Sequence, residues 1–323
     1  MTEFFKRIGA ALSCAALGGC VTAVTSDDPT HAIAQSPHPS LMLAFDGATG
    51  ESLAWSTVLD RIAQADAVFV GETHDDACAH ATEHALVEAF LASHERAAVS
   101  LEFLERNDQP ATDAYLAGSI SLDEFLSATN SRDWAGKGTW VPWYQPMIDS
   151  ARRCDARVIA ANAPRTYVSR ARKENYAALR ALPYSERMLF EIDDGISRDA
   201  DWKRLRDIMI EMQNDHAASG ETPGAPTDDE MDAMHRSQRM WDRTMGLSAA
   251  NAYVSGWSVI HLAGGFHLED RLGTVAQFRF ACAAPRILVI SLQPLDTVTM
   301  DPTDAHGADI VVHTHATRAH GTK

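Results

Sequence analysis

The chain predicts an α/β fold, with a mainly parallel central sheet flanked by helices and a helical insertion. Three observations carry that expectation. Apolar runs of strand length recur along the chain, helical patterns alternate with them, and residues 170–247 hold helical patterns but no convincing strand. Strands alternating with helices build parallel sheets covered on both faces. At 323 residues, 46% hydrophobic and 22% charged, the composition is that of a globular protein with a sizeable core.

The chain opens on a targeting pattern. Lys6 and Arg7 precede the apolar run Ile8 to Leu17, too short to span a bilayer permanently, so residues 1–19 read as a signal peptide. Leu17-Gly18-Gly19-Cys20 resembles the bacterial lipobox, which makes Cys20 the expected lipidated amino terminus. Val21 follows, not the Asp that retains lipoproteins in the inner membrane, so an outer-membrane anchor facing the periplasm is expected. Residues 20–40, rich in Ser, Asp and Pro, read as a tether. A domain over 41–318 and a short tail over 319–323 complete the organisation. The mature chain would keep Cys20, Cys78, Cys154 and Cys282. With Cys20 lipidated, an odd number of thiols remains, and no disulfide framework is implied. A formal charge of −16 argues against nucleic acid, which needs a basic surface.

The strand-like runs are Ala67–Val70, Ala97–Leu101, Arg157–Ala161, Trp257–Ala263, Ile287–Leu292 and Ala308–Val312. Helical patterns cover Ala79–Ala92, Tyr144–Cys154, Asp199–His216 and Thr227–Ala249, with a loop at Gly220–Pro226. Four strands end in polar groups. The first delivers Glu72 and His74 after Gly71, the second Glu102, the third Asn162 and Arg165, and the fourth His267 after Gly264 and Gly265. In open α/β sheets, ligands and chemistry sit beyond the carboxyl ends of the strands. If these strands are parallel neighbours, their ends converge on one cleft. Carboxylates and imidazoles placed there suit acid–base work or a divalent metal, for which Glu72, His74 and His267 are the candidate ligands.

Blander explanations stand beside each candidate. Glu72 could cap a helix, and His267 could be satisfied by a backbone carbonyl. His261, inside an apolar strand, reads as a buried structural histidine. His80-Ala-Thr-Glu-His84 matches the inverted zincin pattern, but no downstream carboxylate completes it. Glu83 and His84 therefore read as helix surface, while His80 opens the helix beside the cleft. His313 and His315 fall on one side of a strand and read as a solvated face, with adventitious metal binding as the alternative. Met209, Met212, Met231, Met234, Met240 and Met245 read first as packing, and second as the lining of an apolar pocket.

Several segments together resemble the ChaN-like haem-binding lipoproteins, in the superfamily that includes Tiki-type metalloproteases and erythromycin esterases. They are Gly71-Glu-Thr-His-Asp75, Leu101–Gln109, Tyr115–Gly118, Trp134, Tyr144-Gln-Pro146, Ala160–Arg165, Gln238–Met245 and Ala263-Gly-Gly-Phe-His267. The resemblance covers about residues 41–318. It implies haem binding linked to iron uptake, with haem held between two protomers by a tyrosine and supplied through an outer-membrane haem receptor. Tyr167, Tyr176 and Tyr184 are the ligand candidates; Arg165, His80 and Asn162, with Arg170, Arg172 or Lys173, are the polar groups available to the propionates. The Gly-Gly-Phe-His segment departs from the family's usual Gly-Ser/Thr-Gly-His. The hydrolytic branches imply a rival function, in which Glu72, His74, Glu102 and His267 are catalytic or hold metal in a peptidase or esterase. There Glu72 or His74 would be the general base, and Arg165 would stabilise an oxyanion.

Overall fold

A computed structural model describes residues 28–195, 197–218, 226–282 and 285–318. The expected leader, Cys20 and the tail lie outside the described residues, as does most of the loop at 220–226. In chain order the helices are α1 (Pro29–Gln35), α2 (Trp55–Gln64), α3 (Ala77–Ser93), α4 (Gln109–Leu116), α5 (Leu122–Thr129), α6 (Gln145–Arg153), α7 (Arg165–Glu174), α8 (Tyr176–Arg180), α9 (Tyr184–Arg187), α10 (Ala200–Ala218), α11 (Asp228–Val254) and α12 (Gly273–Ala281). The strands are β1 (Met42–Asp46), β2 (Ser52–Leu53), β3 (Ala67–Glu72), β4 (Ala97–Glu105), β5 (Arg157–Asn162), β6 (Ser258–Gly264), β7 (Ile287–Gln293) and β8 (Ile310–Thr317).

The strands form one sheet in the order β2-β1-β8-β7-β3-β6-β4-β5. Every pairing from β8 to β5 is parallel, and β1 runs antiparallel to β8 and β2. The six runs read from the sequence are β3 to β8. Alternation along them divides the core. Val68, Val70, Val99, Leu101, Ile260 and Leu262 point into one apolar cluster with Leu86, Phe90, Met147 and Ile148 from α3 and α6. Ala67, Phe69, Ala98 and Val259 point into the other, against Ala249, Ala250, Val275 and Phe278 from α11 and α12. A strand buried on both faces reads as a continuous apolar run, which is why these were legible.

Three differences from the sequence reading have physical reasons. The edge pair β1 and β2 lies outside the six runs: Met42–Phe45 pairs with β8 and sends its side chains alternately into the two apolar clusters. Within the stretch expected to be tether, the described residues from Asp28 on hold α1, which Asp28 caps through the Thr30 N–H and which Trp143 Nε1 anchors by donating to the Pro29 carbonyl. The helical stretch 170–247 is not self-contained. Helix α11 crosses its boundary and runs on to Val254, where Ala249 and Ala250 join the core beneath the sheet. Its start was legible, since Thr227 and Glu230 form a capping box.

Candidate functional site

The carboxyl ends of β3, β4, β5 and β6 do converge, and the first pair they bring together is Glu72 and His74. His74 Nδ1 lies 2.5 Å from Glu72 Oε1. Burial pulls the imidazole down, but the Glu72 charge and hydrogen bond outweigh it and raise His74 to about 9. Its side chain is 38% exposed, so water screens part of that attraction. Burial raises the Glu72 carboxyl, with His74 and His80 opposing. Trp134 stands edge-on to the His74 ring at 4.8 Å, and Phe103 stands at 6.5 Å. Behind His74, Gly264 lets the ring approach closely: a Cβ there would sit 2.8 Å from His74 Cε1, and the ring would have to shift.

Beneath this pair lies a second layer. His80 Nε2 is 3.2 Å from the His74 carbonyl, and His80 Nδ1 is 2.9 Å from Glu83 Oε2. A carbonyl only accepts, so Nε2 carries the proton and donates. In a neutral imidazole Nδ1 is then left to accept, with a protonated Glu83 carboxyl as donor. Both groups lean that way, since burial drives Glu83 well above the ordinary carboxyl range and pulls His80 below that of histidine. His80 stacks on Trp143 at 4.8 Å and meets Tyr144 at 4.7 Å. Tyr144 is delivered by a π-helical turn, Trp140–Tyr144, of a kind that recurs at functional sites. Its hydroxyl, Glu72 Oε2 and Glu83 Oε1 are buried without a hydrogen-bond partner.

The third group is Glu102, His267 and Asp242. His267 Nδ1 lies 2.8 Å from Asp242 Oδ1, and Nε2 lies 3.6 Å from Glu102 Oε1. Burial opposes the imidazolium, but Asp242 and Glu102 together raise it. Burial also pushes Glu102 upward; His267, His74 and the Gly264 N–H, 2.7 Å from Oε2, outweigh that and hold it low. Gly273 turns the chain here at a φ of 55°, where a Cβ would meet the His267 carbonyl at 2.6 Å. Burial lowers His261 to about 4, and its Nδ1 is 2.9 Å from Ser100 Oγ, as a structural histidine requires.

The other expected residues fall as follows. Asn162 donates to the Glu102 carbonyl at 3.0 Å and so braces the end of β4. Arg165 stands at the rim, 62% exposed, 5.7 Å from the Trp134 ring and 3.9 Å from Glu105. The place expected to be a cleft is packed: Glu72, His80, Glu102, Asn162 and His267 are all buried, and His74 alone of the expected acid–base groups is partly exposed. Among the described residues only Asp76, Cys78 and His315 gather three metal-type donors within 4.8 Å. Glu72, His74 and His267 do not form such a group. Glu83, expected at the surface, is fully buried, because α3 is covered on the side that carries it. His313, expected on a solvated face, is buried with Nδ1 2.8 Å from the Thr297 carbonyl, and only His315 is exposed.

The tyrosines separate clearly. Tyr176 is buried and donates to the Arg236 carbonyl at 2.8 Å, while Tyr167 donates to Glu186 at 2.9 Å. Tyr184 is 69% exposed, and its neighbour Met188 is 57% exposed. Met231, Met234, Met240 and Met245 are packing residues in the core. Met209 packs with Trp202 and Leu205, and the Met212 side chain lies outside the described residues. A cavity of about 450 Å³ beside α11 is lined by Asp193, Asp199, Arg239, Arg243 and Phe280 among others, with no methionine. Sequence reasoning missed Asp242, Glu83 and Tyr144 as site residues. Asp242 and Tyr144 lie in the segments Gln238–Met245 and Tyr144–Pro146 that carried the resemblance, and Glu83 follows His80 at helical spacing.

Comparison with known proteins agrees with the fold. A solved structure from Campylobacter jejuni, described as cofacial haem binding to ChaN, is 18% identical, with 84% of this chain and 96% of that one covered and a TM-score of 0.61. At that identity the likeness is one of fold. The type III effector HopBA1 (13% identical, 79% and 90% covered, TM-score 0.44) and a Bacillus cereus protein (10% identical, 82% and 75% covered, TM-score 0.41) are more distant. No curated protein matches the chain. The family model described as "Haem-binding uptake, Tiki superfamily, ChaN" matches residues 58–278, more than half of the chain, and the chain belongs to that family.

Proposed function

We propose that this protein binds haem in the service of haem and iron uptake, and that Tyr184 is its iron ligand. The single observation that carries the choice of ligand is exposure. A haem can reach a phenol only where the phenol is open and uncommitted; Tyr176 is buried on the Arg236 carbonyl, and the half-buried Tyr167 is committed to Glu186. Tyr184 projects from the short helix α9 beside exposed Met188, with the Arg187 guanidinium 5.9 Å from its ring. An apolar thioether suits the macrocycle, and a guanidinium suits a propionate. Tyr184 would hold the iron of a bound haem through its phenol oxygen. An open ligand of this kind fits haem held between two copies of the chain, and the Campylobacter jejuni protein is described as binding haem cofacially. Attachment through a lipid on Cys20 at the outer membrane, facing the periplasm, would place the protein where an outer-membrane haem receptor delivers its cargo. Retention on haem-agarose tests the ligand: wild type is retained and Tyr184→Phe is not, whereas equal retention of both rejects the assignment. Membrane fractionation and palmitate labelling of wild type against Cys20→Ser test the anchor.

A second reading rests on the buried polar atoms without partners at Glu72, Glu83 and Tyr144. Such groups cost stability and persist where they serve chemistry. We infer a hydrolytic capacity in which His74, partly exposed and coupled to Glu72, moves a proton, while Glu102, held low by its neighbours, and the Asp242 hydrogen bond fix His267. Turnover of an ester or peptide substrate lost in Glu72→Gln and His74→Ala, but kept in Tyr184→Phe, would establish it. Absence of turnover across a broad screen rejects it.

A further inference from the structure

We propose that Asp76, Cys78 and His315 form a binding site for a soft divalent cation, zinc above all, separate from both the Glu–His cluster and the exposed tyrosine. A carboxylate oxygen, a thiol sulfur and an imidazole nitrogen lie within 4.8 Å of one another. This mixed set suits zinc; magnesium and calcium take oxygen donors alone. The grouping is tertiary, since Asp76 and Cys78 open α3 while His315 lies on the last strand, β8.

The surroundings are those of a prepared site. Thr314 Oγ1 donates to Asp76 Oδ2 at 2.5 Å and sets the carboxylate plane, as groups behind metal ligands do. That leaves Oδ1 facing His315 Nε2 at 3.1 Å and the Cys78 N–H at 2.9 Å. Ser36 Oγ stands 3.4 Å from Cys78 Sγ, where it or a water can complete four-coordination. Asp76 is buried, Cys78 half-buried and His315 exposed, so an ion can enter from the His315 side. Asp76 also caps α3 and so offsets the positive end of that helix. Zinc at about 2.0–2.3 Å from its ligands requires the three donors to close in slightly. As the metal–sulfur bond forms, the thiol proton leaves to solvent, and His315 exchanges its hydrogen bond to Asp76 for the metal. The consequence is a clip that fastens β8 to α3 and to the segment carrying Ser36.

Cobalt(II) is the probe, because a thiolate ligand gives it a charge-transfer absorption in the near ultraviolet. The full chain, stripped with chelator and kept reduced, is titrated with cobalt and then with zinc. We expect the band to saturate at one cobalt per chain and to bleach on zinc addition. It should persist in Cys154→Ser and His74→Ala, and vanish in Cys78→Ser. In His315→Ala, cobalt affinity should fall roughly tenfold or more, and zinc should no longer raise Tm. Absence of the band in wild type, or its survival in Cys78→Ser, overturns the proposal. If Cys78→Ser does not fold, the exposed His315→Ala decides, and unchanged cobalt affinity there overturns it equally.

Discussion

Asp242 and His267 come from a long helix and a strand-end turn, yet Oδ1 and Nδ1 meet at 2.8 Å with both groups buried. Thr274 donates to the same oxygen at 2.9 Å. This bond ties α11 to the end of the sheet and holds His267 toward Glu102. Removing Asp242 leaves the buried His267 with Glu102 as its one remaining acidic neighbour in this group, a weaker compensation for a buried charge. Asp242→Ala should therefore cost about 3 kcal/mol in urea unfolding, and NMR titration should show His267 losing much of its raised affinity for protons.

His74 makes stability depend on alkaline pH. Its folded value is about 9 against an ordinary 6.5, so its contribution is fully present below 6.5. That contribution is lost as pH climbs through about 9. Denaturation midpoints should fall across this window. His74→Gln should shallow the slope without abolishing it, since His267 is raised as well. A slope unchanged in His74→Gln would mean that the Glu72–His74 pair is not charged as described.

Gly264→Ala would place a methyl 2.8 Å from a ring that Glu72 already holds. The ring cannot swing away without breaking that bond, so a loss of about 1–3 kcal/mol is expected. Calorimetry on this variant in the His74→Ala background should recover most of the loss.

The three tyrosines should separate stability from haem binding. Tyr176→Phe removes a buried hydrogen bond and should cost about 1 kcal/mol while leaving haem affinity intact. Tyr184→Phe should change stability by less than about 0.5 kcal/mol and abolish haem affinity. Thermal melts and haem retention on the same preparations check both halves.

Much of this arrangement is legible in the sequence. Glu72, Glu102, Asn162 and His267 each follow a buried apolar run, and a parallel sheet carries such ends to one edge. Asp242 was not legible, because a lone Asp on a long polar-faced helix reads as solvent-facing until the helix is seen to pass beneath the sheet. Glu83 misled for the opposite reason: a carboxylate among helix polars reads as surface, and only the covering of α3 on that side buries it. The choice among Tyr167, Tyr176 and Tyr184 depends on burial and hydroxyl partners, which are tertiary facts that spacing does not encode.

The most direct test of the account is a visible absorption titration of the full-length protein with haemin, run beside Tyr184→Phe. The account predicts a saturating Soret shift in wild type that is absent in the variant. No shift in wild type, or an undiminished shift in Tyr184→Phe, would contradict it.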